Sequence, residues 1–323
     1  MRRRDFIKLL AALATAQPAG AQQRSPVWRL GCLFPNSGSE VYSLPYFAEF
    51  RRRLREFGYV EGQNLILDVR TAEGDYSRLG TLAADLVELH PDVIVAVATP
   101  AVLAAQQATS SIPIVMASTG DPVGSGFVKS LAKPGGNITG VSMMSPDLSA
   151  KSLEFLTELV PKAKRVAALR SPNPAHTAFL KEMDAAGQRL GLTIIPVVAV
   201  TPSDLVTTFE SMVKEGYDGL VVLNDPRLTT HIPELAAKAR LPAIYQFPGF
   251  GKLGGLLSYG PDLSELWGIV TVYVDRILKG ANPADLPVAQ PTKFELVINL
   301  KAAKALGLAI PTSLLLRADE VIE

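Results

Sequence analysis

Short apolar runs alternate with longer amphipathic stretches along most of the chain. The runs are too short and too continuously apolar to be amphipathic helices, so they indicate strands covered on both faces. Between them, apolar residues recur at helical spacing, and Phe47, Phe50, Leu54 and Phe57 share one face of a predicted helix. This alternation predicts βα units around a parallel sheet. The strands predicted in the first half are Leu30 to Phe34, Leu65 to Val69, Val93 to Ala98 and Ile114 to Ala117.

A turn-rich segment at residues 133–137 interrupts this rhythm, and the alternation begins again from Leu148. Asp92 and Asp218 each open a strand, and each is followed eight residues later by a proline that comes after a polar residue. We therefore predict two similar halves, each an open α/β sheet, with chance similarity between two buried strands as the alternative. The strands predicted in the second half are Val166 to Leu169, Thr193 to Val198, Gly219 to Leu223 and Ala243 to Tyr245.

The first 21 residues are typical of an export signal rather than of a folded domain. Arg2-Arg3-Arg4 precedes a short apolar segment, and Ala19-Gly20-Ala21 provides a small-x-small cleavage site. The apolar part has about half the length needed to cross a bilayer, so no retained anchor is expected. The order Arg-Arg-x-Phe-Ile-Lys favours twin-arginine export of a folded passenger, with an ordinary secretory signal as the alternative. Both routes predict a periplasmic protein that begins at Gln22 after removal of the signal.

Composition describes the exported part as an ordinary globular protein. With 48% hydrophobic and 20% charged residues, a chain of 323 residues can bury one large core or two smaller ones. Removal of the signal leaves 28 basic against 30 acidic side chains, a net charge of −2, so no basic surface indicates a nucleic acid partner. Cys32 is the only cysteine, which excludes an internal disulfide. We interpret it as a buried strand residue, with a lipidated N-terminus as the alternative.

Four pairs of a polar residue and a proline follow apolar runs. Each polar residue is a good N-cap and each proline suits a first helical turn, so each pair predicts the point where a strand meets a helix. Open parallel sheets bind ligands at this edge, where helix N-termini attract a carboxylate and an aspartate can hold an ammonium group. Plain helix capping is the alternative for each pair. The pairs are Thr99-Pro100, Asp121-Pro122, Asn173-Pro174 and Asp225-Pro226.

Small polar residues near these pairs add hydrogen-bonding groups to the predicted edge. Asn36, Ser37 and Ser39 follow the first strand, and Ser118-Thr119-Gly120 precedes Asp121. Tyr259 is a candidate aromatic wall beside the hinge, or a core residue. With two polar-Pro pairs in each half, the edges of the two lobes would face one another across a cleft.

Few residues suggest catalysis. The three histidines, His90, His176 and His231, are not at metal-ligand spacing to one another or to the cysteine. The Gly124-Ser125-Gly126 segment lacks the Gly-x-Ser-x-Gly spacing of a nucleophile elbow, and no Gly-x-x-x-x-Gly-Lys phosphate loop occurs. We therefore expect no enzyme activity, no metal and no cofactor, with a secreted hydrolase of scattered residues as the remaining alternative.

Eight runs spread over nearly all of the chain after the N-terminal segment carry a family likeness. Together they resemble the ABC transporter substrate-binding proteins related to the tryptophan-binding protein TrpX. The runs are 57–65, 92–96, Ile112-Pro113-Ile114-Val115, 120–124, 133–140, 241–245, 254–261 and Gln290-Pro291-Thr292-Lys293 with its continuation to Leu300.

The resemblance implies a type I periplasmic binding fold, an α/β architecture of two Rossmann-like lobes of parallel sheet flanked by helices and joined by crossover strands. Residues 28–142 plus about 260–286 would form the first lobe. Residues 143–259 plus about 287–323 would form the second lobe. Family members with known ligands take aromatic amino acids. Many relatives carry charged residues at the segment 245–250, which is apolar here and suggests an aromatic or apolar solute, a different lining, or core packing.

The same resemblance implies roles for residues at the cleft. The first helical turn at Thr99, Pro100 and Ala101 would offer backbone N–H groups to a ligand carboxylate. Asp121 and Asp225, one in each lobe, would compete for the role of ammonium acceptor. The candidate ligand-binding residues are Asn36, Ser37, Thr99, Pro100, Ala101, Ser118, Asp121, Asn173, Asp225 and Tyr259.

The predicted function is capture of a small molecule, an amino acid or an aromatic or apolar carboxylate, and its delivery to an ABC permease with a cytoplasmic ATPase. The protein would be a periplasmic monomer that meets the membrane only through the permease and binds no nucleic acid. A sensory binding protein that docks on a membrane kinase or chemoreceptor is the alternative.

Overall fold

The described part of the chain, residues 26–199, 203–226 and 231–323 of a computed structural model, forms two α/β lobes, each around its own sheet. The predicted signal at 1–21 and the predicted start at Gln22 lie outside these residues. Within the described ranges, no helix has both the length and the apolar character needed to cross a membrane.

The sheet of the first lobe is parallel, with the order β2-β1-β3-β4-β5 among the described residues. The sequence pattern predicts the first four strands but not β5, whose run Ile-Thr-Gly-Val-Ser mixes polar and apolar residues. Cys32 is fully buried in β1, which agrees with the strand interpretation, and burial raises the pKa of its thiol. The strands are β1 Trp28–Phe34, β2 Leu65–Thr71, β3 Val93–Val97, β4 Ile114–Thr119 and β5 Ile138–Ser142.

Helices cover both faces of this sheet. Phe47, Phe50 and Leu54 are buried on α2 as predicted, but Phe57 is 42% exposed. The prediction for Phe57 is wrong because the helix ends at Glu56, so the helical spacing no longer places the next side chain against the core. The helices are α1 Gly38–Val41, α2 Pro45–Glu56, α3 Leu79–Glu88 and α4 Ala98–Ala108, with a 3-10 helix at Tyr76–Arg78.

The second lobe has the sheet order β12-β11-β10-β9-β8-β6-β7 in the described residues. Its central strands are parallel, whereas β11 runs antiparallel to β10. The strands are β6 Arg165–Arg170, β7 Thr193–Val198, β8 Gly219–Val222, β9 Ala243–Tyr245, β10 Leu257–Pro261, β11 Phe294–Asn299 and β12 Glu320–Ile322. The helices that follow β5 are α5 Ser145–Leu159, α6 His176–Leu190, α7 Asp204–Glu215, α8 Ile232–Lys238, α9 Gly249–Lys252, α10 Leu263–Leu278, α11 Leu300–Leu306 and α12 Thr312–Leu315.

Helix α10 leaves the second sheet and packs in the first lobe. Asp262 caps its start by accepting hydrogen bonds from the backbone N–H groups of Ser264 and Glu265. Trp267 is fully buried in an aromatic cluster, stacked on Phe34 with ring centroids 6.0 Å apart. Because Phe34 ends β1, this cluster anchors the returning helix directly behind the carboxyl end of the first strand.

Two aspartates have the same structural role in the two lobes. Asp92 Oδ2 accepts a hydrogen bond from the N–H of Arg29 at 2.7 Å, at the start of β1. Asp218 Oδ2 accepts from the N–H groups of Lys164 and Arg165 at 2.8 and 2.9 Å, at the start of β6. These hydrogen bonds lower the pKa of Asp218. The correspondence between the two segments therefore reflects the same hydrogen bonding at the start of neighbouring strands.

We predict that Gly140→Ala lowers the free energy of unfolding by about 3 kcal/mol or more. Gly140 has φ 135°, and a Cβ there would lie 2.2 Å from the backbone oxygen of Met116, so β4 and β5 must separate to accommodate it. The matched control is Gly80→Ala on α3, where a Cβ would meet no atom within 4 Å. This substitution should raise the free energy of unfolding by at most about 1 kcal/mol. Chemical denaturation of both variants measures the difference, and equal stabilities would contradict the close β4–β5 approach.

Candidate functional site

The carboxyl ends of β1, β3 and β4 lie side by side, because these strands are neighbours in a parallel sheet. The segments that follow β3 and β4 are also linked by a hydrogen bond from the N–H of Gly120 to Thr99 Oγ1 at 3.5 Å. The structure thus brings most of the predicted first-lobe residues to one edge. These residues are Asn36, Ser37, Thr99, Pro100, Ala101 and Ser118.

Two non-glycine residues at this edge have left-handed backbone conformations. Ala98 has φ 63° and Ser118 has φ 57°, each at the carboxyl end of a strand. Such a conformation costs a residue with a side chain roughly 1–2 kcal/mol. Strained backbone persists where the surrounding structure determines it, and it is concentrated at functional sites. At Ala98 it turns β3 into α4 without an intervening loop.

Helix α4 presents its first turn at the same edge, but its cap differs from the predicted one. The N-cap is Val97, so Thr99 lies inside the first turn and is not the capping residue. Pro100 has no N–H, so only its neighbours Thr99 and Ala101 can donate from this part of the turn. The N-cap Val97 makes no side-chain capping hydrogen bond and the first turn contains no acidic residue, so among the described residues the positive end of the helix is available to an anion.

Two buried polar atoms at the edge, Asn36 Oδ1 and Thr119 Oγ1, have no hydrogen-bond partner among the described residues. The other three such atoms belong to Asp68 in β2 and to Glu265 and Trp267 in α10. An unsatisfied buried polar group costs about 1–3 kcal/mol. A ligand with complementary groups would remove this cost at Asn36 and Thr119.

Glu73, which no sequence pattern identified, organises the loop that carries Ser37. Its carboxylate accepts hydrogen bonds from Thr71 Oγ1 at 2.7 Å, from Ser37 Oγ at 2.8 Å and from the N–H of Gly38 at 2.9 Å. The bonds from Thr71, Gly38 and Ser37 lower the pKa of Glu73. The N–H of Glu73 in turn donates to the backbone oxygen of Asn36 at 3.1 Å. Glu73 therefore positions both predicted residues after β1.

In the second lobe, Asp225 and Asn173 come together at the carboxyl ends of β8 and β6. Asp225 is only 6% exposed. Its Oδ2 accepts hydrogen bonds from Ser171 Oγ at 2.7 Å and from Asn173 Nδ2 at 2.9 Å, and its Oδ1 accepts one from the phenol of Tyr76 at 2.6 Å. Asn173 is itself fixed, because its Oδ1 accepts from the N–H of Ala175 at 3.0 Å. Ser171 and Tyr76 were not predicted from the sequence, although Ser171 precedes a predicted polar-Pro pair.

His176 is completely buried beneath this carboxylate. Its Nδ1 lies 3.3 Å from the backbone oxygen of Ser171, its Nε2 lies 3.2 Å from that of Asn224, and Nε2 is 3.9 Å from Asp225 Oδ2. Burial lowers the pKa of His176, while the negative charge of Asp225 and the two carbonyl groups oppose this effect. Because the side chain has no access to solvent, desolvation is the largest of these contributions, and the pKa of His176 lies below its usual value.

A second series of hydrogen bonds runs from Asn224, which lies next to Asp225, to Ser149 in helix α5. Gln246 accepts a hydrogen bond from the N–H of Asn224 at 3.0 Å and donates one to Ser149 Oγ at 2.9 Å. Tyr245 and Phe250 of the apolar segment 245–250 are buried in the second-lobe core, which corresponds to the core-packing alternative. Burial raises the pKa of the Tyr245 phenol.

Two predicted residues make contacts elsewhere. Asp121 Oδ1 accepts a hydrogen bond from the N–H of Gly124 at 2.8 Å and so closes its own turn. Tyr259 lies in β10 between Phe155 and Phe294, with ring centroids 5.1 and 5.6 Å away. This placement corresponds to the core alternative for Tyr259.

Among the described residues, two hydrogen bonds join the polar edges of the two lobes. One is the hydrogen bond between Tyr76 and Asp225, and the other joins Asn224 Nδ2 to Met143 Sδ at 3.3 Å. No group of three or more potential metal-ligating side chains occurs in the described ranges. The facing edges therefore offer a helix N-terminus, neutral polar groups and one buried carboxylate, a set suited to a small polar or zwitterionic molecule.

Two α/β lobes whose sheet edges meet in this way define a two-lobed solute-binding protein with the type I periplasmic binding fold. A sequence model of the family "ABC transporter substrate binding protein" matches residues 47–322. The chain belongs to this family, whose members bind solutes outside the cytoplasm and are not enzymes. The predicted family and fold are thereby confirmed, and so is the expectation that the protein is not an enzyme.

Individual relatives agree with this assignment. A tyrosine-binding protein of Clostridioides difficile is 30% identical over 264 residues, which cover 80% of this chain and 75% of that protein. An ABC domain from Streptococcus pneumonia in complex with L-Trp superposes with a TM-score of 0.83 at 30% identity and covers 91% of this chain and 99% of its own. A ligand-free, open substrate-binding protein with adhesive properties from Clostridium difficile superposes with a TM-score of 0.64 at 26% identity. The match covers 92% of this chain and 99% of that protein.

The two structural similarities differ although their identities and coverages are nearly equal. The overlap is much closer with the L-Trp complex than with the open, ligand-free protein.

We predict that the free energy of unfolding falls as the pH is lowered below about 6.5 and that His176→Gln reduces this dependence. The pKa of His176 is lowered in the folded protein, so the unfolded chain takes up the proton first and acidification favours unfolding. Denaturation of both proteins between about pH 7.5 and 5.5 compares the slopes, above the range in which carboxylates titrate. A wild-type slope equal to or smaller than that of the variant would contradict the lowered pKa of His176.

Proposed function

We propose that the protein captures an amino acid, with aromatic amino acids first, between its lobes and delivers it to an ABC permease. The observation that carries this proposal is the buried carboxylate of Asp225 at the meeting of two polar sheet edges. The names of two relatives support the ligand class, because one is a tyrosine-binding protein and the other was crystallised with L-Trp.

Asp225, rather than Asp121, is the proposed acceptor for the ligand's ammonium group. Asp225 lies where the two lobes touch, whereas Asp121 closes its own turn with Gly124. A carboxylate with little solvent access interacts more strongly with a cation than one in water. Ser171 and Asn173 hold Oδ2, so the geometry of the carboxylate is fixed before the ligand arrives.

The first-lobe edge is the proposed site for the ligand's carboxylate. The N–H groups of Thr99 and Ala101 lie in the uncapped first turn of α4. The Thr119 hydroxyl, which lacks a partner among the described residues, can donate a further hydrogen bond. Asn36 follows β1, Ser118 lies near the end of β4, and both complete the polar wall. Helix N-termini stabilise carboxylates through their oriented N–H groups.

We predict that Asp225→Asn weakens binding of L-tryptophan roughly 30-fold or more, because a desolvated ammonium loses its counter-charge. Isothermal titration of the mature protein with L-tryptophan and L-tyrosine measures the effect. Indole-3-propionate, which lacks the ammonium group, should bind the wild type and the variant with similar affinity.

The matched control is Asp121→Asn, which removes the other candidate charge. It should leave the affinity for L-tryptophan within about two-fold, because its carboxylate is engaged by its own turn. If Asp121→Asn weakens binding and Asp225→Asn does not, the proposed roles are reversed. If neither amino acid binds the wild type, the proposed ligand class is wrong.

Export to the periplasm as a monomer is proposed from the N-terminal pattern and the family. We predict that protein isolated from the periplasm begins at Gln22, as measured by intact mass, since signal peptidase cleaves after small residues such as Ala21.

Replacing Arg3 and Arg4 by lysine should block export if the route is twin-arginine and leave it intact if the signal is an ordinary one. A periplasmic protein that retains residues 1–21 would contradict the cleavage site.

A further inference from the structure

Tyr76 belongs to the first lobe and is held there by the turn that precedes it. Glu73 and Gly74 have φ of 54° and 76°, and the N–H of Gly74 donates to the backbone oxygen of Pro35 at 2.9 Å. Asp75 then caps the 3-10 helix by accepting from the N–H of Ser77 at 3.0 Å. The position of Tyr76 is therefore determined by the carboxyl end of β1, next to the proposed ligand site.

The phenol of Tyr76 reaches the other lobe. Its hydroxyl donates to Asp225 Oδ1 at 2.6 Å, while Ser171 and Asn173 of the second lobe donate to Oδ2. One oxygen of the carboxylate is thus held from within its own lobe, and the other accepts a hydrogen bond across the cleft. A hydrogen bond to a charged, desolvated acceptor is among the stronger ones in proteins.

The hydrogen bond from Tyr76 exists only while the lobes lie close together, because donor and acceptor belong to different lobes. The bonds from Ser171 and Asn173 persist whatever the lobes do. The present structure overlaps the L-Trp complex with a TM-score of 0.83 and the open, ligand-free protein with 0.64. An interaction made in only one of two conformations shifts the equilibrium between them toward that conformation.

We propose that Tyr76 is a closure residue: its hydrogen bond to Asp225 stabilises the closed arrangement of the lobes and positions the carboxylate that receives the ligand's ammonium group. This inference rests on the proposed function for the role of Asp225 toward the ligand, but the effect on lobe closure is independent of which ligand binds. Tyr76 thereby links the ammonium site of the second lobe to the wall of the first.

The test compares Tyr76→Phe with wild type by small-angle X-ray scattering of the ligand-free mature protein. Phenylalanine retains the ring and removes only the hydroxyl, so each lobe should fold normally, as a thermal melt checks beforehand. The variant is expected to have a larger radius of gyration because it loses a bond made only in the closed form. With L-tryptophan as the probe, stopped-flow measurement should show a dissociation rate raised roughly ten-fold.

Tyr59→Phe is the matched control. The phenol of Tyr59 donates to Asp275 Oδ1 at 3.0 Å, but both residues lie within the first lobe. Burial, followed by this bond, raises the pKa of Tyr59 to about 12. Loss of the hydroxyl should lower the melting temperature and leave the ligand-free radius of gyration unchanged.

The scattering comparison decides the proposal. Expansion of Tyr76→Phe alone supports it, whereas no expansion, or equal expansion of Tyr59→Phe, overturns it. Failure of L-tryptophan and L-tyrosine to bind the wild type would count against the proposed ligand and would leave the scattering result to decide the role of Tyr76. The two proposals can therefore fail separately.

Discussion

The side chain of Asp225 is fully buried, and taking an ionised carboxylate out of water costs several kcal/mol unless other donors replace the solvent. In this protein the replacement comes from both lobes: Ser171 and Asn173 donate from one side and Tyr76 from the other. The same charged group therefore takes part in hydrogen bonds within the second lobe, in the contact between the lobes and in the proposed ligand site. Separation of the lobes would return Oδ1 toward solvent, so hydration of the carboxylate and closure of the lobes are coupled.

Opposite this charge, the first lobe keeps features that reduce its own stability. Ala98 and Ser118 have left-handed backbone, and Asn36 and Thr119 each bury a polar atom without a partner among the described residues. These costs occur together at the carboxyl edge of one sheet, while the aromatic cluster around Trp267 packs directly behind it. Well-packed cores hold strained segments in place, which provides rigid, preorganised polar groups for a ligand.

The two lobes have similar hydrogen bonds at the starts of their strands, but the polar residues at the ends of their strands have different roles. Asp92 and Asp218 bind backbone N–H groups at the starts of β1 and β6, so a similar strand pairing recurs in each lobe. The polar-Pro pairs diverge from there. Thr99 lies within a helix, whereas Asn173 Oδ1 accepts a hydrogen bond from the N–H of Ala175 ahead of one. The pattern of secondary structure is thus repeated, while the chemistry at the strand ends depends on the neighbours of each residue.

Local sequence was sufficient for eight of the twelve strands in the described residues and for the presence of two sheets, but it did not predict β5, β10, β11 or β12. Thr193–Val198 and Ala243–Tyr245 have the predicted limits, because a continuous apolar run between turns is a local property. Local sequence was insufficient to predict the residues at which helices begin and end. The left-handed conformation of Ala98 starts α4 before the predicted cap at Thr99, and the end of α2 exposes Phe57.

The sequence by itself determined the family, the α/β alternation and a set of polar residues at strand ends. Only the tertiary structure distinguished Asp225 from Asp121, since both precede a proline after a buried strand. The donors to Asp225 are 54, 52 and 149 residues away along the chain. No local pattern encodes such contacts, because the environment of a charge is set by chain segments that meet only after folding.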